Sequence, residues 1–506
     1  MIKKYIINHF LIVSALVVLN YGCKKNELSI DPTDQYSVET FWKTEEHARA
    51  GLTGCYQVLR TVYSAGWVYE TDMITPNAWG YNENGGIGPL ARGVHTTIDG
   101  TIARTWNVNF QGVGRTNTFL DKIDGVTMNA SLKNRMRGEA KFLRALYYFN
   151  LQDFFGGVPL ILETPDAVKH SAVPRDTKEN VVKQILKDLD DAGAALPTTY
   201  PAADAGRATK GAALALKARL LLYQENWSAA AKTAQETMDL KVYTLFAGYR
   251  ELFMLQNERN AEVIFNVEFL APRFLNNFDQ TSYILNAPAP LKDLVDDYLM
   301  NDGQSITNSP LYNPAKPYEN RDPRLHQTIA VIGYKFNGKI VQLSDVVNTG
   351  FGLKKYTSFT DDVNIPLVAP STDLNPILMR FAEVLLTYAE AQNEANGPDA
   401  SVYAALNAVR ARPSVKMPGV RAGLSKDEMR RVIRNERRIE LALEGLYYSD
   451  IRRWRTAEIV NNGPIYNYVG KVITNRTFDK ARDYLWPIPF VQIQENPQLK
   501  QNPNYR

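Results

Sequence analysis

One amphipathic stretch, residues 427–454 (DEMRRVIRNERRIELALEGLYYSDIRRW), places the strongest condition on the fold. At about 100° per residue, its apolar side chains fall on one helical face, and Glu436 and Glu440 lie in the middle of that face. A buried, ionised carboxylate is tolerated only beside a cation or hydrogen-bond donors, because leaving it unpaired costs several kcal/mol. The stretch therefore predicts a helix whose buried glutamates are paired with arginines from elsewhere in the chain.

Two other predicted helices can supply those arginines. Residues 136–157 carry Arg137 and Arg144, and residues 377–397 carry Arg380. We expect both helices to meet the 427–454 helix and to form structural Arg–Glu ion pairs with its glutamates.

Four segments also resemble a known family. They are RGEAKFLRALYYFNLQDFFGGVPL, RFAEVLLTYAEAQNEAN, NERRIELALEGLYYSDIRRW and the closing YLWPIPFVQIQENPQLKQNPNY. In this order they resemble the landmarks of the SusD/RagB family of outer-membrane nutrient-binding lipoproteins. They are spread from Arg137 to Tyr505, so the resemblance covers nearly the whole chain. It implies a scaffold of four tetratricopeptide helix pairs that carries an irregular, loop-rich ligand face.

The patterning of the chain predicts a mostly α fold with the same organisation. We expect a helical region over 38–242 and a second region over 243–506. Alanine-rich helices joined by tight turns are typical of tetratricopeptide units, and the helix pairs are expected at 38–123, 136–196, 208–240 and 377–412. The insert 243–375 is irregular, with strand-like runs at 262–270, 328–334 and 339–343. The C-terminal segment should form an extended belt, because prolines at 487, 489, 497 and 503 exclude a continuous helix.

The first residues have the pattern of an export signal. Lys3 and Lys4 precede an apolar run, and Gly22 precedes Cys23. We interpret residues 1–22 as a lipoprotein signal peptide, Cys23 as the acylated anchor and 23–37 as a tether. An ordinary secretory signal or an uncleaved anchor is the alternative. The resemblance implies an outer-membrane lipoprotein that faces the medium and works with a SusC-like TonB-dependent transporter.

Composition and motifs argue against several other functions. The net charge of +4 over 506 residues is too small to indicate a nucleic-acid partner. The sequence lacks phosphate-loop and nucleophile-elbow motifs, and its five histidines have no metal-ligand spacing, so we expect no enzyme activity, no cofactor and no metal. Cys55 is expected to be a buried small hydrophobe. The carboxylate doublets at 190–191, 296–297 and 361–362 leave a hydrolase as a weak alternative.

Residues 64–102 are irregular and rich in aromatic and amide side chains. Flat rings beside amides, carboxylates and guanidinium groups suit sugars, whose apolar C–H faces are ringed by hydroxyl groups. The candidate ligand contacts in this region are Trp67, Tyr69, Asp72, Asn77, Trp79, Tyr81, Asn82, Asn84 and Arg92. The resemblance implies further contacts from the insert, where the candidates are Arg273, Phe274, Asn276, Asn277 and Tyr283.

The leading hypothesis is a non-enzymatic surface lipoprotein that captures an oligosaccharide and passes it to the transporter. A RagB-like component that binds oligopeptides is one alternative. A tetratricopeptide adaptor without a small ligand is another, and it predicts that the aromatic segment from Trp67 to Tyr81 packs inward.

Overall fold

The structure is a computed structural model that describes residues 41–63, 67–80, 87–366 and 372–505. The predicted signal peptide (1–22), the lipid-bearing Cys23 and the tether (23–37) lie outside these residues. So do Tyr81, Asn82, Asn84 and the side chain of Trp67. In the described ranges, no helix is both long enough and apolar enough to cross a membrane.

The fold is mostly α-helical, which confirms the predicted fold class. In chain order the helices are α1 (Glu45–Tyr63), α2 (Trp67–Glu70), α3 (Ile87–Arg92), α4 (Gly100–Lys122), α5 (Ala130–Phe155), α6 (Lys178–Ala195), α7 (Lys210–Tyr223), α8 (Trp227–Asp239), α9 (Lys292–Asp297), α10 (Arg324–Thr328), α11 (Phe381–Asn396), α12 (Ala400–Arg410), α13 (Lys426–Glu440), α14 (Tyr447–Arg453), α15 (Ala457–Val460) and α16 (Phe490–Glu495).

The strands are short and pair in antiparallel ladders of two. They are β1 (Ala78–Trp79), β2 (Val263–Asn266), β3 (Ala289–Pro290), β4 (Ile329–Val331), β5 (Lys335–Phe336), β6 (Lys339–Ile340), β7 (Phe351–Leu353), β8 (Ile377–Arg380), β9 (Gly463–Tyr466) and β10 (Val472–Arg476). The pairs are β1 with β3, β2 with β8, β4 with β7, β5 with β6 and β9 with β10. The strand-like runs of the sequence correspond to β2, β4 and β6.

Helix pairs lie at the positions expected from the sequence. α1 packs on α4, α5 on α6, α7 on α8 and α11 on α12. Neighbouring pairs also touch, since α4 packs on α5, α6 on α7 and α8 on α11. The pairs therefore form a continuous stack. The irregular insert lies between α8 and α11 in the chain, and these two helices still pack against each other.

The first two pairs approach closely because one residue at their contact has no side chain. A Cβ atom on Gly112 of α4 would lie 2.5 Å from the Tyr147 ring of α5. The Tyr147 hydroxyl donates a hydrogen bond to the Cys55 carbonyl of α1 at 2.7 Å, which ties the three helices together. Cys55 is buried, and burial raises the pKa of its thiol to about 12, so the thiol stays protonated.

Residues 427–454 form two helices, which corrects the prediction of one. α13 ends at Glu440 and α14 begins at Tyr447. In the turn between them Leu443 and Gly445 have positive φ values of 61° and 76°. Periodicity could not show this break, because the apolar spacing continues across it.

Two further elements differ from the sequence-based expectation. Residues 377–380 are the strand β8 and not the start of a helix, because they pair with β2 of the insert, and α11 begins only at Phe381. The C-terminal belt contains α16, which fits between Pro489 and Pro497. A proline just before the first turn of a helix removes no intrahelical hydrogen bond, so this short helix is compatible with the prolines.

Glu440 lies fully buried at the end of α13 and is bound by three arginines. Its carboxylate accepts hydrogen bonds from Arg380 at 2.7 Å, Arg412 at 2.8 Å and Arg324 at 2.9 Å. Burial by itself raises the pKa of this carboxyl, but the three guanidinium groups outweigh burial and hold the pKa well below its usual range. The structure thus contains the expected Arg380–Glu440 pair.

Glu436, one turn earlier on the same face, has partners that the sequence analysis did not name. Arg324 binds it at 2.6 Å and Arg410 at 2.8 Å. The ion cluster, as we call this group, consists of Arg324, Arg380, Arg410, Arg412, Lys355, Asp322, Glu262, Glu436, Glu440 and Glu444. It joins α10, α12, α13 and β8 through buried charges.

Arg137 and Arg144 do not reach the α13 glutamates, which corrects the expectation for both. Arg144 makes a buried two-pronged contact with Asp188 of α6, with both bonds at 2.8 Å. Arg137 lies at the surface and pairs with Asp124. Arg144 therefore uses its charge within the second helix pair, and Arg137 uses its charge on the turn that follows α4.

Candidate functional site

Two of the predicted aromatic contacts are core side chains. Tyr69 has no exposed surface, and its ring packs against Phe278. Trp79 is 5% exposed, lies on β1 and packs with Leu291 and Ile465. A sugar cannot stack on a ring that the protein already covers, so the structure corrects the prediction for these two residues.

Asp72 and Asn77 are also fully buried, and they connect the same segment to the turn after α13. Asp72 accepts hydrogen bonds from the Asn77 amide at 2.8 Å and from the Gly445 backbone N–H at 2.7 Å. The Asn77 oxygen accepts one from Arg438 at 2.9 Å. Burial raises the pKa of Asp72 to about 7. These two side chains hold the segment in place, and their predicted role as ligand contacts is corrected as well.

The turn itself requires glycine at 445. A Cβ atom there would lie 2.1 Å from the Val68 carbonyl oxygen, and the φ of 76° is unfavourable for other residues. The turn between α13 and α14 therefore needs a glycine where it contacts residues 68–72.

Arg92 lies at the end of α3 and is half-buried. Its carbonyl oxygen accepts hydrogen bonds from the backbone N–H and the hydroxyl of Thr477. The backbone here is therefore attached to the C-terminal segment.

The insert presents a different surface over residues 270–285, which we call segment 270–285. Leu270 and Phe274 pair across a tight turn, and Asn276 pairs with Thr372. Phe274 is 40% exposed, and the guanidinium carbon of Arg60 lies 3.8 Å from its ring centroid. The segment therefore holds an exposed ring at a defined position.

The other predicted residues of this segment differ in exposure. Arg273 and Asn277 are exposed, whereas Asn276 is buried and its amide donates to the Leu374 carbonyl at 2.6 Å. Tyr283 is half-buried against Phe336 and Phe359. In the described part of the chain, no aromatic contact joins Tyr283 to Phe274, so the segment offers two separate rings.

Carboxylates lie beneath the turn of this segment. Asp373 accepts the Ala271 N–H at 3.1 Å, and Glu258 accepts the backbone and side-chain N–H groups of Asn375 at 2.6 and 2.8 Å. Burial raises the pKa of Glu258 to about 7, and the negative charges of Glu268 and Asp373 act in the same direction. The charge of the Glu258 carboxyl, next to this segment, therefore changes with pH near neutrality.

We expect Glu258→Gln to weaken the pH dependence of stability. A carboxyl whose pKa is raised on folding stabilises the protein below its ordinary value of 4.5, and this contribution is lost as the pH rises through about 7. The native protein should therefore lose stability over this window, and the variant should lose less. Asp72 contributes with the same sign, so a smaller slope should remain. Urea unfolding at a series of pH values measures both slopes.

Asp362→Asn is the matched control for this change. Asp362 is exposed, and its hydrogen bond with Lys335 lowers its pKa, so it titrates below the window. The free energy of unfolding of Asp362→Asn should change with pH by the same slope as that of the native protein. Equal slopes for Glu258→Gln and the native protein would show that Glu258 does not titrate in this range.

Arg60 and Lys339 were missed by the sequence analysis. Arg60 lies on α1 and Lys339 on β6, and their charged groups lie over the rings of Phe274 and Tyr283 at 3.8 and 5.6 Å. No sequence signal marks either residue, because Arg60 is more than 200 residues away from the ring that it covers. Among the described residues, no group of three or more potential ligands is arranged to hold a metal ion.

The sequence is similar to known families over most of its length. Residues 261–505 match the SusD family, and residues 31–222 match a family described as "Starch-binding associating with outer membrane". SusD-like protein P25 of Formosa agariphila is 26% identical over 540 aligned positions, which cover 98% of each chain.

Solved structures show the same similarity. A SusD-like carbohydrate-binding protein from Bacteroides fragilis superposes with a TM-score of 0.84 at 29% identity, covering 91% of this chain and 100% of the other. A laminarin-binding SusD-like protein superposes with a TM-score of 0.69 at 26% identity, covering 92% and 100% of the two chains.

Proposed function

The chain belongs to the SusD family, and on this premise we propose that it is a non-enzymatic glycan-binding protein of the outer-membrane surface. Support comes from the names of its relatives, which include a carbohydrate-binding and a laminarin-binding SusD-like protein. Family membership supports the proposed ligand class, and the exposed residues of segment 270–285 support the proposed position of the site.

The observation that carries the proposal is the exposed ring of Phe274. Arg60 approaches its ring centroid at 3.8 Å, yet 40% of the residue remains exposed, so part of the ring is accessible to a sugar C–H face. Arg273 and Asn277 add exposed hydrogen-bonding groups next to it in the chain. Tyr283 supplies a second, half-buried ring. The remaining candidates of the 64–102 region stay proposed contacts, without support from the structure. They are Trp67, Tyr81, Asn82, Asn84 and Arg92.

Delivery to a membrane transporter is the second part of the proposal. Acylation of Cys23 would attach the protein to the outer membrane through lipid chains. A SusC-like TonB-dependent transporter would then receive the glycan, so that the protein binds and releases its ligand without making or breaking a bond.

Phe274→Ala should weaken glycan binding by ~1 kcal/mol or more, which is about five-fold in affinity, because the stacking surface is lost. Calorimetry of residues 24–506 against a panel of oligosaccharides, with oligopeptides alongside, measures this effect. Leu270→Ala is the matched control, since Leu270 is 63% exposed on the same turn but has no ring. A glycan that binds equally well to native protein and Phe274→Ala would remove the site from this segment.

A tetratricopeptide adaptor without a small ligand is the second candidate. One observation favours it, namely the inward packing of Tyr69 and Trp79. Absence of binding across both the glycan and the peptide panels would support the adaptor, and binding of peptides alone would support a RagB-like peptide importer.

A further inference from the structure

Three aromatic side chains in the described ranges are more than a third exposed. They are Phe274 at 40%, Tyr466 at 43% and Phe490 at 44%. Phe274 belongs to segment 270–285 and has the guanidinium group of Arg60 over its ring. Tyr466 lies outside that segment, and no aromatic ring or cationic group of the described residues lies over it. Its ring is an accessible flat surface that the proposed site does not include.

Tyr466 lies on the β9–β10 hairpin, which has one buried and one outer face. Neighbouring residues of a strand point to opposite faces, and Ile465 is buried whereas Pro464 and Tyr466 are exposed. On β10, the exposed Val472 lies opposite Tyr466, and the exposed Asn475 lies opposite Pro464. The outer face therefore combines a flat ring and apolar neighbours with an amide, and these groups suit the C–H face and the hydroxyl groups of a sugar.

The buried face of the hairpin fixes the position of this ring. Ile465 packs with Ala91 and Leu291. Arg476, at the end of β10, is buried and donates to the Ala91 carbonyl at 2.7 Å. A ring on a rigid support loses little conformational freedom when a ligand stacks on it, which favours binding.

Hydrogen bonds connect the hairpin to the end of segment 270–285. The Asn348 amide donates to the Leu285 carbonyl at 3.3 Å. The next residue, Thr349, accepts the Tyr468 N–H at 2.8 Å through its carbonyl oxygen. The loop 347–350 of the insert therefore lies between the proposed glycan segment and the hairpin, and it contacts both.

The surface along this connection is apolar and accessible. Leu285 at the end of the segment, Val347 in the loop and Val469 in the hairpin turn are all exposed. The Tyr468 ring packs onto the loop at Gly350, where a Cβ atom would lie 2.2 Å from it. Exposed apolar side chains that adjoin one another indicate a binding surface, and here they extend from the proposed glycan segment toward Tyr466.

We propose that the outer face of the β9–β10 hairpin is a second contact surface for the glycan, with a sugar unit stacked on the Tyr466 ring. The inference rests on the glycan function proposed for segment 270–285. Pro464 and Val472 border the stacked unit, and the Asn475 amide binds its hydroxyl groups. Because the loop 347–350 separates the two surfaces, a disaccharide held at Phe274 does not reach the hairpin. The protein therefore favours glycans that are long enough to contact both.

The dependence of affinity on glycan length tests this proposal. The probes are laminari- and malto-oligosaccharides from the disaccharide to the octasaccharide, because one relative binds laminarin and one matching family is described as starch-binding. Calorimetry of residues 24–506 should show affinity that rises with length. Tyr466→Ala should bind the longest oligosaccharide about five-fold more weakly and the shortest with native affinity. Tyr466→Phe keeps the ring and should bind every length like the native protein.

Two further variants serve as controls. Phe490→Ala removes an equally exposed ring on α16, next to Thr97, and should bind every length like the native protein. Phe274→Ala changes the segment that holds every oligosaccharide, so it should weaken binding of all lengths by a similar factor. Only Tyr466→Ala should have an effect that depends on length.

The outcomes separate this inference from the function on which it rests. Native affinity of Tyr466→Ala at every length, or an equal loss at every length, would overturn the second surface. If Phe274→Ala still weakened binding in that case, the glycan function would stand without it. A native protein that bound none of these oligosaccharides would overturn both.

Discussion

Arg380→Gln should lower the free energy of unfolding by ~3–5 kcal/mol, because it removes a guanidinium group shared by three buried carboxylates. Arg380 donates to Glu262 at 2.8 Å, to Glu440 at 2.7 Å and to both oxygens of Glu444 at 2.7 Å. Glutamine carries no charge and has too few donors to replace these bonds. Urea unfolding followed by circular dichroism measures the loss.

Arg137→Gln is the control for this prediction. The sequence made both arginines candidates for the α13 glutamates, but Arg137 pairs at the surface with Asp124, whose side chain is 68% exposed. An exposed pair contributes at most ~1 kcal/mol, so the control should change stability little. If Arg380→Gln cost no more than Arg137→Gln, the ion cluster would not be a significant source of stability.

Trp79→Ala should cost ~3–5 kcal/mol of stability, because truncation of a buried tryptophan leaves a cavity and removes its apolar contacts. Trp79 is 5% exposed and packs with Ala91, Leu291 and Ile465. Thermal and urea unfolding of the variant check the size of this effect.

The same variant decides whether Trp79 contacts ligand. The folded fraction of Trp79→Ala should bind glycan with native affinity, whereas Phe274→Ala should have weaker binding and near-native stability. Trp79→Phe is a milder variant that keeps an apolar ring, which allows the binding test if Trp79→Ala does not fold. Loss of glycan affinity in a stable Trp79→Phe protein would contradict the buried position described above.

The helical scaffold was predictable because its signals are local. α7 and α8 follow from alanine-rich periodic runs, and the hydroxyl of Thr209 caps α7 by accepting a hydrogen bond from the Ala212 N–H. The turn between α11 and α12 has Gly397 with a φ of 88° and Asp399 as the cap of the next helix. Each of these signals acts within a few residues, so the chain need not be folded for them to be recognised.

The candidate site was less predictable, because aromatic composition does not reveal which ring is covered. Trp79 and Phe274 both lie in irregular segments beside polar residues. Trp79 is covered because β1 pairs with β3, more than 200 residues later in the chain. Phe274 remains exposed on its turn, with Arg60 of α1 over the ring. These long-range contacts, and not the local sequence, separate a core ring from an accessible one.

The ion cluster shows most clearly what the local sequence determines and what depends on long-range contacts. The sequence alone required cationic partners for Glu436 and Glu440, since a charge within an apolar helix face cannot be buried unpaired. It could not select those partners, and Arg144 was as reasonable a candidate as Arg380. The tertiary structure brought in Arg324 and Arg412 from other segments, and it ended the helix at Glu440, before the turn that contains Gly445. The cost of burying a charge is a property of the residue, whereas its partner depends on which distant segments pack beside it.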